Sequence, residues 1–133
     1  MIFVDSNIPM YVAGRDHPNR DPSRRLLDAA RAGHLEICTS VEVLQEILYR
    51  YVGLKRPDLA VEIYDLFSQL CPIVLPVSLA DTDRARDLVR TQRGLSVRDA
   101  VHAAVMLNND VKEIATFDAG FDAVPGIKRR QLQ

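Results

Sequence analysis

Two aspartates follow short apolar segments at opposite ends of the chain. Asp5 ends the segment IFVD at residues 2–5, and Asp118 ends the segment IATFD at residues 114–118. If both segments are parallel strands of one sheet, the two acids emerge at the same edge, which is where open α/β sheets bind ligands. Two carboxylates held close together repel each other unless a cation or a proton separates them. The pair therefore indicates a divalent metal site and a reaction that depends on the metal.

Two further acids are candidates whose sequence context leaves another role open. Asp99 lies in the first turn of a predicted buried helix, and the segment SVRD at residues 96–99 also fits a capping box, in which the acid bonds the N-cap amide. Glu46 falls away from the apolar stripe of its own helix, beside Glu42. That position fits a solvated helix face as well as the wall of an open cleft.

Histidines and cysteines do not form a ligand cluster in the sequence. His17, His34 and His102 are scattered, and we interpret His102 as a packed core residue with no assigned role. Cys38 and Cys71 are far apart and are interpreted as reduced, buried residues of a cytosolic protein. Carboxylates without a histidine or cysteine cluster favour Mg²⁺ or Mn²⁺ over structural zinc.

Strands that alternate with helices predict how the acids are brought together. Strands are predicted over residues 1–5, 35–39, 73–77 and 113–117, and a last one over 127–129. Helices are predicted over residues 22–31 (with Asp21 as N-cap), 41–52, 57–70, 81–92 and 97–109, after a short turn at Pro9 and an exposed loop over 14–25. Pro76 indicates an edge position or a strand end for the third strand. This order predicts a single α/β domain over residues 1–133, a three-layer α/β/α sandwich around a mostly parallel sheet.

The composition sets limits on partners and location. The chain has 133 residues, 47% of them hydrophobic, and a formal net charge of -1, so any nucleic-acid contact must come from local basic patches. No apolar segment has the length of a membrane span, and we find no signal peptide. We therefore expect a soluble, cytoplasmic protein that does not bind membranes.

Four short motifs together resemble those of the PIN-domain nucleases. The motifs are VDSN at residues 4–7, TSVEVLQE at 39–46, LSVRDA at 95–100 followed by HAA at 102–104, and ATFDAGFD at 115–122. Their order and spacing and the length of the chain are similar to those of the VapC toxins of toxin–antitoxin pairs. The resemblance covers essentially the whole chain.

The resemblance implies an endoribonuclease that uses Mg²⁺ or Mn²⁺ to hydrolyse RNA phosphodiesters. Its metal-binding catalytic acids would be Asp5, Glu46, Asp99 and Asp118. The supporting residues would be Ser6, Asn7, Thr116 and Asp122, and Asp122 is either a fifth acid or a turn residue. The resemblance also implies a small antitoxin partner, whose tail lies across the cleft, and a homodimer. A stand-alone PIN ribonuclease of RNA processing and a non-catalytic α/β interaction module remain alternatives.

Two groups of side chains fit either a binding surface or an ordinary structural role. An acidic site needs cations nearby to hold RNA. The arginines that fit this need lie at residues 15–25, 84–98 and 129–130, although solvated surface explains most of them equally well. Aromatic residues that fit either self-association or the core are Tyr49, Tyr51, Tyr64 and Phe67.

Overall fold

A computed structural model describes residues 1–133 and contains one five-stranded sheet. Its strands are β1 (Ile2–Val4), β2 (Ile37–Ser40), β3 (Ile73–Leu75), β4 (Glu113–Ala115) and β5 (Lys128–Arg129). The strand order is β3-β2-β1-β4-β5, and every neighbouring pair is parallel. The predicted α/β/α sandwich is confirmed, with a sheet that is wholly rather than mostly parallel, and β3 is an edge strand, one of the two possibilities that Pro76 indicated.

Six α-helices connect the strands. They are α1 (Asn7–Ala13), α2 (Arg20–Arg31), α3 (Val41–Gly53), α4 (Pro57–Leu70), α5 (Leu79–Thr91) and α6 (Val97–Asn108), and a 3₁₀ helix follows at Ala119–Ala123. None of the helices combines the length and the apolar character needed to cross a bilayer. The chain builds β1, β2 and β3 outward in one direction and then returns to place β4 on the other side of β1. The strand order therefore reverses between β1 and β4, and ligands of open α/β sheets bind at such a reversal.

The first two helices begin earlier than the sequence predicted. The predicted N-cap Asp21 is wrong, because α2 starts at Arg20 and Pro22 is its third residue. The first four backbone N–H groups of a helix have no intrahelical acceptor, so a proline there removes no hydrogen bond. The same reason lets α1 begin at Asn7, with Pro9 again in the first turn, where only a short turn was expected.

The region around Asp118 and the start of α5 also differ from the predictions. Residues 118–126 were predicted as a loop, but five of them form the 3₁₀ helix. A helix start at Asp81 was predicted, but α5 begins at Leu79 because Ser78 is its N-cap. Ser78 and Asp81 form a capping box in which each side chain bonds the other's backbone N–H.

The core holds the strand ends and α6 rigidly in place. Its 24 buried hydrophobic residues include all of β1 and, on α6, Ala103 and Met106. Cys38 and Cys71 are buried and unpaired, as predicted. Since α6 is buried over most of its length, the side chains that it carries toward the sheet edge have fixed positions.

We expect Asp81→Ala to lower the free energy of unfolding by about 1–2 kcal/mol, because it removes the cap bond and a bond between helices. The Asp81 carboxylate accepts hydrogen bonds from Ser78 N (2.8 Å) and from Asn108 Nδ2 (2.8 Å), and it is 4% exposed. Urea unfolding at neutral pH measures the difference. Asp83→Ala is the matched control, since Asp83 is exposed on the same helix, and we expect a change of less than about 0.5 kcal/mol.

The stabilisation by Asp81 should also depend on pH. Burial alone would raise the pKa of Asp81, but the bonds from Ser78 and Asn108 lower it below its ordinary value of 3.8. A lowered pKa in the folded state means that the stabilisation is complete above the unfolded pKa and disappears as the pH falls through the folded one. The difference between wild type and Asp81→Ala should therefore shrink in acid below pH 3.8. A difference that stays constant there would contradict this account.

Candidate metal centre

Asp5 lies where the strand order reverses, at the carboxyl end of β1. Its backbone N–H donates to Ala115 O (3.1 Å) at the end of β4. The Thr116 hydroxyl donates to Asp5 Oδ2 (2.7 Å) and accepts from Asn7 Nδ2 (3.0 Å). Two predicted supporting residues thus contact each other and position the Asp5 carboxylate, which is almost fully buried.

Ser6 connects Asp5 to Glu46 on α3. Its backbone N–H donates to Asp5 Oδ1 (2.7 Å), and its hydroxyl donates to Glu46 Oε2 (2.7 Å). The side chain of Glu46 is only 11% exposed. The interpretation of Glu46 as a residue on a solvated helix face is therefore wrong. The helical wheel describes only how α3 packs along its apolar stripe, whereas the contacts of Glu46 come from other parts of the chain.

His102 on α6 completes a group of three ionisable side chains. Its Nε2 lies 2.5 Å from Glu46 Oε1 and 3.7 Å from Asp5 Oδ1, and its side chain is fully buried. One ligand atom from each of these residues lies within 4.8 Å of the others. Sequence reasoning missed this role for His102. A signal was available, because His102 lies three residues after Asp99 and therefore on the same side of the helix.

The pKa shifts show that burial and mutual charge act together in this group. Burial raises the pKa of Asp5, even though the positive charge of His102 and the Thr116 bond oppose the shift. Burial would also raise the pKa of Glu46 and lower that of His102. The bond between these two residues reverses both effects, so the pKa of Glu46 is lowered and that of His102 is raised. When His102 is protonated it is the counter-ion of both carboxylates, although its Nδ1 is buried without a hydrogen-bond partner.

Asp99 and Asp118 form a second pair of acids. Only half of the expected capping box is present: Ser96 Oγ accepts from Asp99 N (3.1 Å), while the Asp99 side chain instead faces Asp118. Burial, a hydrogen bond with Asp118 and the charges of Asp118 and Asp5 raise the pKa of Asp99 to about 7. The Asp99 bond and the Gly120 N–H lower the pKa of Asp118. A proton or a cation between the two carboxyl groups relieves their repulsion.

The turn after β4 leaves room for this pair. Asp118 Oδ1 accepts from Gly120 N (2.8 Å), which forms an Asx-turn. A Cβ atom on Gly120 would lie 3.1 Å from Asp118 Oδ1 and 4.0 Å from Asp99 Oδ2. A side chain at this position would crowd both carboxylates, so the glycine keeps the space beside them open.

Asp122 is placed apart from the other acids. It is exposed and forms a bidentate salt bridge with Arg129, at 2.7 and 2.8 Å. Its oxygens are therefore occupied by a guanidinium, and the structure does not bring them into the group around Asp5.

The donor set fits a hard divalent cation. The acids at the sheet edge offer mainly carboxylate oxygens, the ligands that Mg²⁺ and Mn²⁺ prefer, with His102 as the one nitrogen donor. The two groups are electrostatically linked, since the charge of Asp5 raises the pKa of Asp99. Asn7 Oδ1, in the same region, is buried without a hydrogen-bond partner. An unsatisfied oxygen and repelling carboxylates are the environment that a hydrated cation would stabilise.

Comparisons with known proteins identify relatives of this chain. The sequence model of the PIN domain family matches residues 2–127. Ribonuclease VapC13 of Mycobacterium tuberculosis is 45% identical over 129 residues, covering 97% of this chain and 98% of the relative. Ribonuclease VapC23 of the same species is 40% identical over 118 residues, covering 89% of this chain and 93% of the relative.

A solved structure supports the fold. The crystal structure of VapBC2 from Rickettsia felis, bound to a DNA fragment from the promoter, contains a chain that superposes with a TM-score of 0.75. The match covers all of both chains at 20% sequence identity. At this identity the likeness concerns the arrangement of the helices and the sheet.

Proposed function

The chain belongs to the PIN-domain family, and on that premise we propose that the acids at the β1–β4 edge are the catalytic centre of an endoribonuclease toxin. The observation that supports the assignment is that Asp5 and Glu46 meet at His102, while Asp99 is near enough for the charges of Asp5 and Asp118 to raise its pKa. Nothing in the packing of a small α/β domain requires several acids to lie so close together. Their mutual repulsion costs stability unless a cation binds.

The centre takes a divalent metal ion, and we propose Mg²⁺ or Mn²⁺. Asp5, Glu46, Asp99 and Asp118 would hold it, with Asp5 in the most buried position. A bound divalent ion neutralises charge on the phosphodiester and makes water a stronger nucleophile near neutral pH. The proposed reaction is hydrolysis of an RNA phosphodiester bond by that water.

The neighbouring side chains keep the carboxylates in one arrangement. Thr116 donates to Asp5 and Ser6 donates to Glu46, so one oxygen of each acid is held by a hydroxyl group. Asn7 supports Thr116 from the other side. His102 contacts the other oxygen of Glu46. We assign a positioning role to these four residues, Ser6, Asn7, His102 and Thr116. Asp122 is proposed to stabilise the turn after β4 through Arg129, which in turn lowers the pKa of Asp118.

An antitoxin is the partner that this family membership supports, since the structural neighbour from Rickettsia felis is a VapBC complex. We further propose RNA as the substrate, no membrane partner, the cytoplasm as the location and a homodimer as the free toxin. Of the four aromatic residues considered for self-association, Tyr51 and Phe67 belong to the core and Tyr64 is half-buried. The homodimer therefore rests on the resemblance, and light scattering of the purified chain tests it.

We expect the purified protein to cleave single-stranded RNA when Mg²⁺ or Mn²⁺ is present and to stop when EDTA is added. The same ions should raise the melting temperature, because a ligand at 100 times its Kd stabilises the folded state by about 2.7 kcal/mol. Gel analysis of the RNA and thermal unfolding of the protein provide the two measurements.

Asp83→Asn is the control for the metal experiment. It removes one exposed acid outside the centre and should leave both the cleavage and the melting shift unchanged. Cleavage that continues at full rate in EDTA would exclude a metal-dependent reaction. A melting shift that survives the Asp5→Asn change would show that the ion binds elsewhere.

A further inference from the structure

A cleft of about 620 Å³ opens beside the acids and shares two residues with them. Ser6 and Glu46 line its inner end, where they meet Asp5. Its outer part carries Tyr49 and Arg50 on α3 and Arg98 at the start of α6. The cleft therefore offers a substrate at the acids two cations and one aromatic ring.

Arg98 and Tyr49 form a stacked pair in this cleft. The Arg98 guanidinium carbon lies 4.7 Å from the centre of the Tyr49 ring, and Tyr49 is 62% exposed. The ring therefore keeps much of its surface open although the cation covers part of it. The charge of Arg98 also reaches Glu46 and contributes to lowering the pKa of that acid.

Both arginines of the cleft have positive charge available for a ligand. Neither Arg50 nor Arg98 forms a salt bridge, and the same is true of six arginines outside the cleft: Arg15, Arg20, Arg24, Arg25, Arg84 and Arg93. What distinguishes the cleft is that its two cations lie beside an exposed aromatic ring, and proteins bind single-stranded nucleic acid with these components.

We propose that Tyr49 and Arg98 are a binding platform for one unpaired nucleotide of the substrate, next to the bond that is cleaved. The base stacks on the ring and guanidinium plane, and the adjoining phosphate binds Arg98 and Arg50. This inference rests on the proposed function and adds the residues that bind the substrate beside the acids. In base-paired RNA the faces of the bases are covered by stacking on the neighbouring base pairs, so no face is free for the platform.

A second copy of the chain fits this surface less well than RNA. Pairing the surface with itself across a twofold axis would bring Arg50 and Arg98 toward the same two residues of the other copy. Like charges facing each other at an interface are unfavourable, whereas a phosphodiester backbone neutralises them.

The chain contains no tryptophan, so Tyr49→Trp would place a single indole reporter in the cleft. In an Asp5→Asn background, which removes cleavage, we expect an oligouridylate of about 12 nucleotides to quench the indole emission in a saturable way. A duplex of equal length should quench at least about fivefold less at the same concentration. Adding Arg98→Gln should weaken oligouridylate binding about tenfold.

Lys112→Gln is the control for the loss of one positive charge. Lys112 lies just before β4, at the opposite edge of the sheet from the acids. This variant should bind oligouridylate within about twofold of its parent, because long-range charge alone is screened at physiological salt.

Steady-state cleavage of a single-stranded RNA separates this inference from the proposed function. Arg98→Gln and Tyr49→Ala should raise KM about tenfold and leave kcat within about threefold, since the platform binds a neighbouring nucleotide and not the reacting phosphate. Arg98→Lys should recover only part of the loss, because lysine keeps the charge but not the planar stack.

Three outcomes would overturn the platform. If wild type cleaves RNA while these variants keep its KM, the platform is wrong and the nuclease assignment stands. An indole signal that changes with protein concentration and not with RNA would identify a contact between copies. Equal quenching by duplex and single strand would remove the proposed substrate class. If wild type does not cleave any RNA, the proposed function fails, and saturable quenching by oligouridylate would still support the platform.

Discussion

Asp5→Asn is expected to reduce metal-stimulated RNA cleavage by more than about 100-fold while the protein remains folded. Asp5 is the acid of the centre with the most contacts to its other residues. It accepts from Ser6 N and from Thr116 Oγ1, it lies 3.7 Å from His102 Nε2, and its charge raises the pKa of Asp99. Removing its negative charge therefore weakens the affinity for a divalent ion at the most buried position.

The fold should tolerate this change because an amide has nearly the same shape as a carboxylate. The carbonyl oxygen of asparagine can still accept one of the two hydrogen bonds. Burial raises the pKa of Asp5, which means that desolvation of its charge opposes folding, and the substitution removes that cost. It also removes the attraction to His102. We expect these two effects largely to cancel, so that the melting temperature in EDTA stays close to that of wild type.

Cleavage assays with Mn²⁺ and circular dichroism of the same preparation measure both parts of this prediction. Asp83→Asn serves again as the control and should cleave at the wild-type rate. Undiminished cleavage by a folded Asp5→Asn protein would refute the catalytic assignment. If the Asp5→Asn protein lost both cleavage and its fold, it would not test the catalytic role of Asp5. Asp5→Glu then provides the second test, since it keeps the charge but moves the carboxylate.

The sequence alone predicted those acids whose positions are defined by the sheet. Asp5 and Asp118 directly follow predicted strands, and parallel strands necessarily end at one edge. Pro76 also favoured some strand orders over others, because it indicated an edge position or a strand end for the third strand. In the structure β3 is an edge strand. Periodicity and strand ends are local signals, so they identify such residues without knowledge of tertiary contacts.

Residues whose role depends on contacts from other elements were harder to predict. Glu46 and His102 lie on different helices, and each has its main partner on the other. A helical wheel for α3 or α6 shows which face is apolar but not which polar residue of another helix it meets. The motif resemblance included Glu46, whereas His102 was interpreted only as a core residue. The boundaries of α1 and α2 were missed for a different reason, since proline in a first turn costs no hydrogen bond.

The contact between Glu46 and His102 predicts a large effect of the substitution His102→Leu on stability. We expect this substitution to lower the free energy of unfolding of the metal-free protein by about 3–5 kcal/mol, because it leaves two buried carboxylates without their counter-ion. His102 is fully buried, and its Nε2 contacts Glu46 Oε1 and lies near Asp5 Oδ1. His102→Gln keeps an N–H donor of similar reach and should cost less than the leucine variant.

Urea unfolding in EDTA measures this loss, and Met106→Leu is the matched control. Met106 is also fully buried and lies one turn further along the same helix, and the exchange nearly conserves volume, so we expect a cost below about 1.5 kcal/mol. Added Mn²⁺ then distinguishes two roles of the histidine. If His102 acts as a counter-ion, the cation should restore much of the lost stability of His102→Leu, because it neutralises the same carboxylates. If His102 is itself a metal ligand, Mn²⁺ should stabilise His102→Leu less than wild type. A leucine variant that is as stable as wild type in EDTA would refute the ion pair between His102 and the carboxylates.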